Sequence, residues 1–137
     1  MATKIRRAGY FTFDVEDKAG EGARVLGKLK DAQVNLLSFV AFPRGAGKAQ
    51  ITIIPENADA FAAVTKKVGL APSSRKECFL IQGDDRAGAA YDIVNRLAEA
   101  KISFTAGHAC SAGGGSYGMT LFVKPANLAA AAKVLGA

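Results

Sequence analysis

The chain has no tryptophan, one histidine, two cysteines and four prolines among its 137 residues. Each scarcity excludes something. Cys78 and Cys110, with His108 as the lone histidine, have neither the spacing of a metal site nor the count of a disulfide framework. The expectation is a reduced, cytoplasmic protein without cofactor or metal. No apolar run approaches the roughly 20 residues that cross a bilayer. The basic start, "MATKIRRAGYF", runs into strand-like alternation instead of the apolar centre of a signal peptide. Net charge is +6, with 18 Lys and Arg against 12 Asp and Glu, which would steer acidic partners. The basic residues are scattered, however, and no strand interleaves them with aromatics as the single-strand RNA readers do. Neither nucleic acid nor a membrane is an expected partner.

What is present is the balance of a globular chain, half apolar and 22% charged. It also repeats itself. With Gly20 set over Gly88, an offset of 68 residues, more than thirty residues align without a gap. Phe11 falls on Phe79, Phe13 on Ile81, Asp17 on Asp85, Leu29 on Leu97 and Val34 on Ile102. Further on, Gly45 meets Gly113, Gly47 meets Gly115 and Thr52 meets Thr120. Chance makes one such match, not a run of them, so the chain reads as an internal duplication. The expected units are residues 1–70 and 71–137. Units of this size bury only about 60% of their unfolded surface and gain by packing on a neighbour.

Each half has the same order. Phe11, Phe13 and Val15 alternate with polar residues as a half-buried strand does. Residues 20–33 then place Val25, Leu29 and Ala32 at helical spacing. Leu36 to Phe42 and Ala49 to Ile54 read as two strands joined by the turn "PRGAGK", and Asn57 opens a second helix that ends near Gly69. The second half predicts strand 78–82, helix 88–101, strands 102–110 and 117–123, and helix 126–135. This β-α-β-β-α order is α/β (α+β), a ferredoxin-like split βαβ lacking its fourth strand. Residues 3–8 and 71–76 correspond to one another. We expect reciprocal completion, 71–76 edging the first sheet and 3–8 the second, because open sheet edges need partners.

Between the first strand and first helix of each half stands "DKAG" or "DRAG". Helix N-termini carry unpaired N–H groups and partial positive charge, and so hold carboxylates. Gly20 and Gly88 let a ligand approach the backbone, and Asp17 and Asp85 can accept from an ammonium group. The combination suits a zwitterion such as a free amino acid. As a bare motif, D-x-x-G more often means a capping Asp and a turn Gly.

A strand, then D-[KR]-x-G, an amphipathic helix holding Leu29 or Leu97, then "AQVNLLSF" or "AKISFTAG", resembles an ACT domain. Two such halves resemble the small stand-alone tandem ACT-domain proteins, over residues 8–70 and 77–135. The resemblance implies ferredoxin-like βαββαβ units that bind small molecules, most often amino acids, where two ACT units meet. It implies a first site of Asp17, Lys18, Ala19, Gly20, Asn35 and Leu36, and a second of Asp85, Arg86, Ala87, Gly88, Ser103 and Phe104. Three departures stand out. The family's Pro before the loop Gly is Ala19 or Ala87, its following bulky residue is Gly22 or Ala90, and its Asn survives as Asn35 but becomes Ser103. If one site works, Asn35 favours the first.

Other chemistries fit less well. His108 and Cys110, two apart on a strand, share a face but lack an orienting third group. "SAGGGSYG" joins two strands and lacks the Lys-Ser/Thr end of a phosphate loop. The expected protein is therefore no enzyme but a cytoplasmic amino-acid-binding regulator, a homodimer or a partner of a metabolic enzyme. The alternative is a purely structural, oligomerising ferredoxin-like module without a ligand.

Overall fold

In the computed structural model, which describes residues 2–137, the alternating apolar residues of each half turn inward from its strands to meet its helices. The elements run β1 (Lys4–Glu16), α1 (Glu21–Asp31), β2 (Leu36–Gly45), β3 (Lys48–Pro55), α2 (Ala58–Lys67), β4 (Lys76–Asp84), α3 (Ala89–Glu99), β5 (Ala106–Ser111), β6 (Ser116–Phe122) and α4 (Leu128–Leu135). A 3-10 turn, Pro125–Asn127, leads into α4. The chain divides into two compact units. The first is Gly9–Lys76; the second is Glu77–Ala137 together with the N-terminal residues up to Ala8. Both have the α+β, ferredoxin-like order of elements that the sequence predicts.

In the first unit the strand order is β2-β3-β1, with β3 antiparallel to both neighbours. Phe11, Phe13, Ile51 and Ile53 face Val25 and Leu29 of α1 and Phe61 of α2 in one buried cluster. The Phe61 ring lies 4.5 Å from that of Phe11 and meets Phe13 edge-on at 6.2 Å. Such pairs add about 0.5–1.5 kcal/mol beyond area burial. Thr65, beneath them, is fully buried and donates to the Phe61 carbonyl at 2.9 Å, which satisfies its hydroxyl.

In the second unit the order is β1-β4-β6-β5, to which β1 contributes its residues up to Ala8. Phe79, Ile81, Met119 and Leu121 pack against Ile93 and Leu97 of α3 and Ala131, Ala132 and Leu135 of α4. Ile5 joins this cluster. Arg7 pairs with Glu77, and the Cys78 thiol donates to the Ala8 carbonyl. The N-terminal residues thus serve the second unit. The linker serves the first, but at a single point: Ser73 N donates to the Thr12 carbonyl at 2.8 Å, and Ser73 Oγ accepts from Thr12 N at 2.9 Å. Residues 71–75 form no regular strand. Pro72 has no N–H to offer, and at Ser73 a side-chain oxygen accepts in place of a backbone carbonyl.

The two units agree at the expected offset down to single hydrogen bonds. Phe11 pairs with Ile53 across the strands as Phe79 does with Leu121. Val34 N donates to Leu29 O as Ile102 N does to Leu97 O. Gln33 and Lys101 both turn the chain at φ 59. Most element ends fall within three residues of expectation, and the largest shift in the second unit is at β5, which begins at Ala106, not at 102. β6 ends at Phe122, and beyond Thr105, whose amide donates to the Phe122 carbonyl at 2.7 Å, residues 102–104 have no strand to pair with. Among the described residues no helix is long and apolar enough to cross a membrane.

Candidate functional site

Both strand-to-helix loops are tied to the hairpin beside them. Asp17 N donates to the Gly47 carbonyl at 2.9 Å, and Asp85 N to the Gly115 carbonyl at 3.0 Å. The residue at each helix N-cap is glycine in the left-handed region, Gly20 at φ 95 and Gly88 at φ 82, and no side chain caps α1 or α3. The aspartates are therefore not caps, which removes the commonest structural explanation of D-x-x-G. A left-handed N-cap explains the glycine by conformation alone, since a side chain there is strained even where space is open. The first amide of each helix is taken, Glu21 N by the Lys18 carbonyl at 3.4 Å and Ala89 N by the Arg86 carbonyl at 3.2 Å. The amides open to an incoming acceptor are those that follow, Gly22 and Ala23 in α1 and Ala90 and Tyr91 in α3.

Around the second loop the surface dips into a shallow hollow of ≈ 390 Å³ that is wide open to solvent. Asp85, Arg86 and Gly88 form one side of it, and Ala89, Ala90 and Tyr91 of α3 continue that wall. The other side comes from Ala109, Cys110 and Ser111 of β5 and from Tyr117 of β6. Ser111 Oγ donates to Asp85 Oδ2 at 2.8 Å. Arg86 pairs with Asp92 on α3, and the other arm of its guanidinium donates to the Ala87 carbonyl at 3.3 Å. The Asp92 hydrogen bond raises the Arg86 pKa above its ordinary value. Burial raises that of Tyr117, opposed in part by the charge of Arg86.

Ser103 and Phe104 lie elsewhere. They line a second hollow of ≈ 390 Å³ with Val94, Ala98, Lys101 and Ile102, and the Phe104 ring passes over Gly107. In the first unit the expected residues also separate. Lys18 pairs with Glu16 at 3.1 Å, Ala19 is exposed, and Asp17 is anchored at Gly47, before β3. Asn35 is held at the far end of that strand, its amide donating to Glu56 Oε2 at 2.7 Å and its carbonyl accepting from Glu56 N. Leu36 beside it packs on the core. The eight residues of β3, at about 3.3 Å each, separate the two anchors, so one amino acid does not touch both within this unit. Tyr91, Ser111 and Tyr117 were not singled out by the sequence reading as site residues, and Cys110 was considered only beside His108. Their signal was difference: at the offset of 68 they stand opposite Ala23, Phe42, Pro43 and Ala49.

His108 and Cys110 share exposed β5, where the nearest acceptor of the Cys110 thiol is the Ser111 carbonyl. Among the described residues no three His, Cys, Asp or Glu side chains are grouped to hold a metal.

Several solved structures share this fold. A protein of Bacteroides thetaiotaomicron superposes with a TM-score of 0.80 at 16% identity, over 96% of this chain and 88% of its own. The ligand-free regulatory subunit of aspartate kinase from Thermus thermophilus matches with a TM-score of 0.64 at 9% identity, covering 98% and 94%. A structure of aspartokinase alpha and beta subunits matches with 0.60 at 16% identity, covering 98% and 95%. At these identities the likeness is one of fold. No protein-family model matches the chain, and no curated protein matches its sequence.

Proposed function

We propose that this is a cytoplasmic regulatory module of the tandem ACT type, without catalytic chemistry of its own, that binds a free amino acid beside a strand-to-helix loop. The observation that carries the reading is the uncapped start of α3, which opens beside the Asp85 carboxylate onto a hollow of ligand size. Ligand pockets run from about 300 to 1,000 Å³, and ≈ 390 Å³ suits a small molecule. A carboxylate fits the first-turn N–H groups, and an ammonium group fits Asp85. The likeness to a regulatory subunit crystallised in a ligand-free form supports the same role. The signal would pass through association with a second copy or with an enzyme. Leu37, Phe39 and Phe42, exposed along edge strand β2, offer apolar surface for that. Coupling requires the ligand to favour one association state over the other.

Thermal unfolding against each of the twenty amino acids at millimolar concentration tests this. A ligand at 100 times its Kd stabilises by about 2.7 kcal/mol, a shift of several degrees. One or two clear responders support the reading. A flat panel overturns it in favour of a structural module without a ligand.

A further inference from the structure

We propose that the second unit alone takes the ligand, one per chain, and that this ligand is a zwitterion whose side chain is uncharged and apolar or aromatic. The inference rests on the reading above and narrows it. The two loops share a backbone but not a lining. Tyr117, Tyr91 and Ser111 surround the second loop, whereas the first carries Ala49, Ala23 and Pro43 at the same offset. Two phenol rings and a hydroxyl are thus matched by two methyl groups and a proline. Asn35, the residue that would favour the first loop, is already engaged by Glu56.

Charge sets the class of side chain. Asp85 accepts from Ser111 through Oδ2, and a carboxylate has acceptor capacity left for an ammonium group. With Ala89 N given to the Arg86 carbonyl, the Ala90 and Tyr91 amides of α3 take the ligand carboxylate. Arg86, the one cation lining the hollow, is committed to Asp92. An acidic side chain would have to displace Asp92 from Arg86, and a basic one would add positive charge beside that guanidinium. What the remaining wall offers is ring and methyl surface: Tyr91, 67% exposed, Tyr117 and the alanines of β5 and α3. Such surface rewards apolar area and planar rings.

Isothermal titration of the full chain with phenylalanine, leucine and methionine, and with aspartate and lysine as charged probes, tests the proposal. Two variants accompany it: Tyr117→Ala combined with Ser111→Ala, and Asp17→Ala. The expected result is one site per chain, with the charged probes weaker by at least about tenfold. The double variant loses about tenfold or more, and Asp17→Ala binds as the parent does. Circular dichroism confirms folding; if the double variant fails there, Tyr91→Ala at its exposed position takes its place. Two sites per chain, loss of binding in Asp17→Ala, or a preference for aspartate or lysine overturns the proposal while leaving an amino-acid sensor standing. Silence from all twenty amino acids removes that reading and this proposal together.

Discussion

Ser111 Oγ donates to Asp85 Oδ2 across 2.8 Å, and the residue that corresponds to Ser111 in the first unit is Pro43, which has no donor to give. The bond joins the end of β5 to the loop before α3 and leaves Asp85 Oδ1 as the oxygen that the proposed ligand would meet. Both residues are exposed, so the bond contributes little to folding. Ser111→Ala is expected to change unfolding free energy by less than about 0.5 kcal/mol. It is expected to weaken amino-acid binding several-fold, because Asp85 is then free to turn. Urea melts and calorimetry on the same preparations separate the two effects. A variant that loses stability but keeps affinity shows the bond to be structural.

The left-handed residues make a second prediction. Gly88 sits at φ 82 with only Arg86 Nη1, at 3.9 Å, near the place of a Cβ. Gly88→Ala therefore meets no wall, and its cost is backbone strain alone, about 1–2 kcal/mol. Ala46 is the converse. It holds φ 55 between Gly45 and Gly47, where the other hairpin has Gly113, Gly114 and Gly115. Ala46→Gly relieves strain of that size, offset by roughly 0.5–1 kcal/mol of extra unfolded-state freedom. The expected outcome is a small gain in melting temperature for Ala46→Gly and a clear loss for Gly88→Ala.

How far these features were legible in the sequence depended on their periodicity. Phe11, Phe13 and Val15, with Val25 and Leu29, announce a strand and a helix because burial on one face forces a period, and the offset of 68 announces the second unit. The role of Asp17 and Asp85 was not legible as a cap or otherwise, since the N-cap proved to be the glycine three residues on. Ser73 defeated a strand reading because one residue with a side-chain acceptor does the pairing that a strand would do. The lining by Tyr117, Tyr91 and Ser111 follows no period at all. It is set by which ends of β5, β6 and α3 the topology brings to one loop, and a chain read residue by residue does not show that.

Thr120 supplies a third prediction. It is 4% exposed, and its hydroxyl has no hydrogen-bond partner among the described residues. A buried hydroxyl left unpaired costs about 1–3 kcal/mol. Thr120→Val replaces it by a methyl group of nearly the same shape. The variant is expected to be as stable as the parent or more so, by up to about 1 kcal/mol. The check is a higher urea midpoint with an unchanged slope of free energy against denaturant. A lower midpoint means that the hydroxyl is satisfied by a bound water.

The two cysteines make opposite predictions from opposite surroundings. Cys110 is exposed on β5, whereas Cys78 is fully buried and its thiol donates to the Ala8 carbonyl. Burial pushes the Cys78 pKa from 9.0 up to about 12, opposed by the charge of Arg6 and reinforced by Glu77. Because the thiolate is the reactive form, a thiol reagent at neutral pH is expected to modify one cysteine per native chain quickly. The second should react only on unfolding. The same shift links to stability. Below pH 9 Cys78 is protonated folded or unfolded, and its contribution is fully present. Above pH 9 the unfolded chain releases the proton while the folded chain keeps it, so stability falls as pH rises toward 12. Tyr117, raised by burial too, adds a loss of the same sign. Melting temperature measured from pH 8 to 11 should therefore decline, and Cys78→Ala should decline less steeply. Equal slopes in parent and variant would show that Cys78 is not the group responsible.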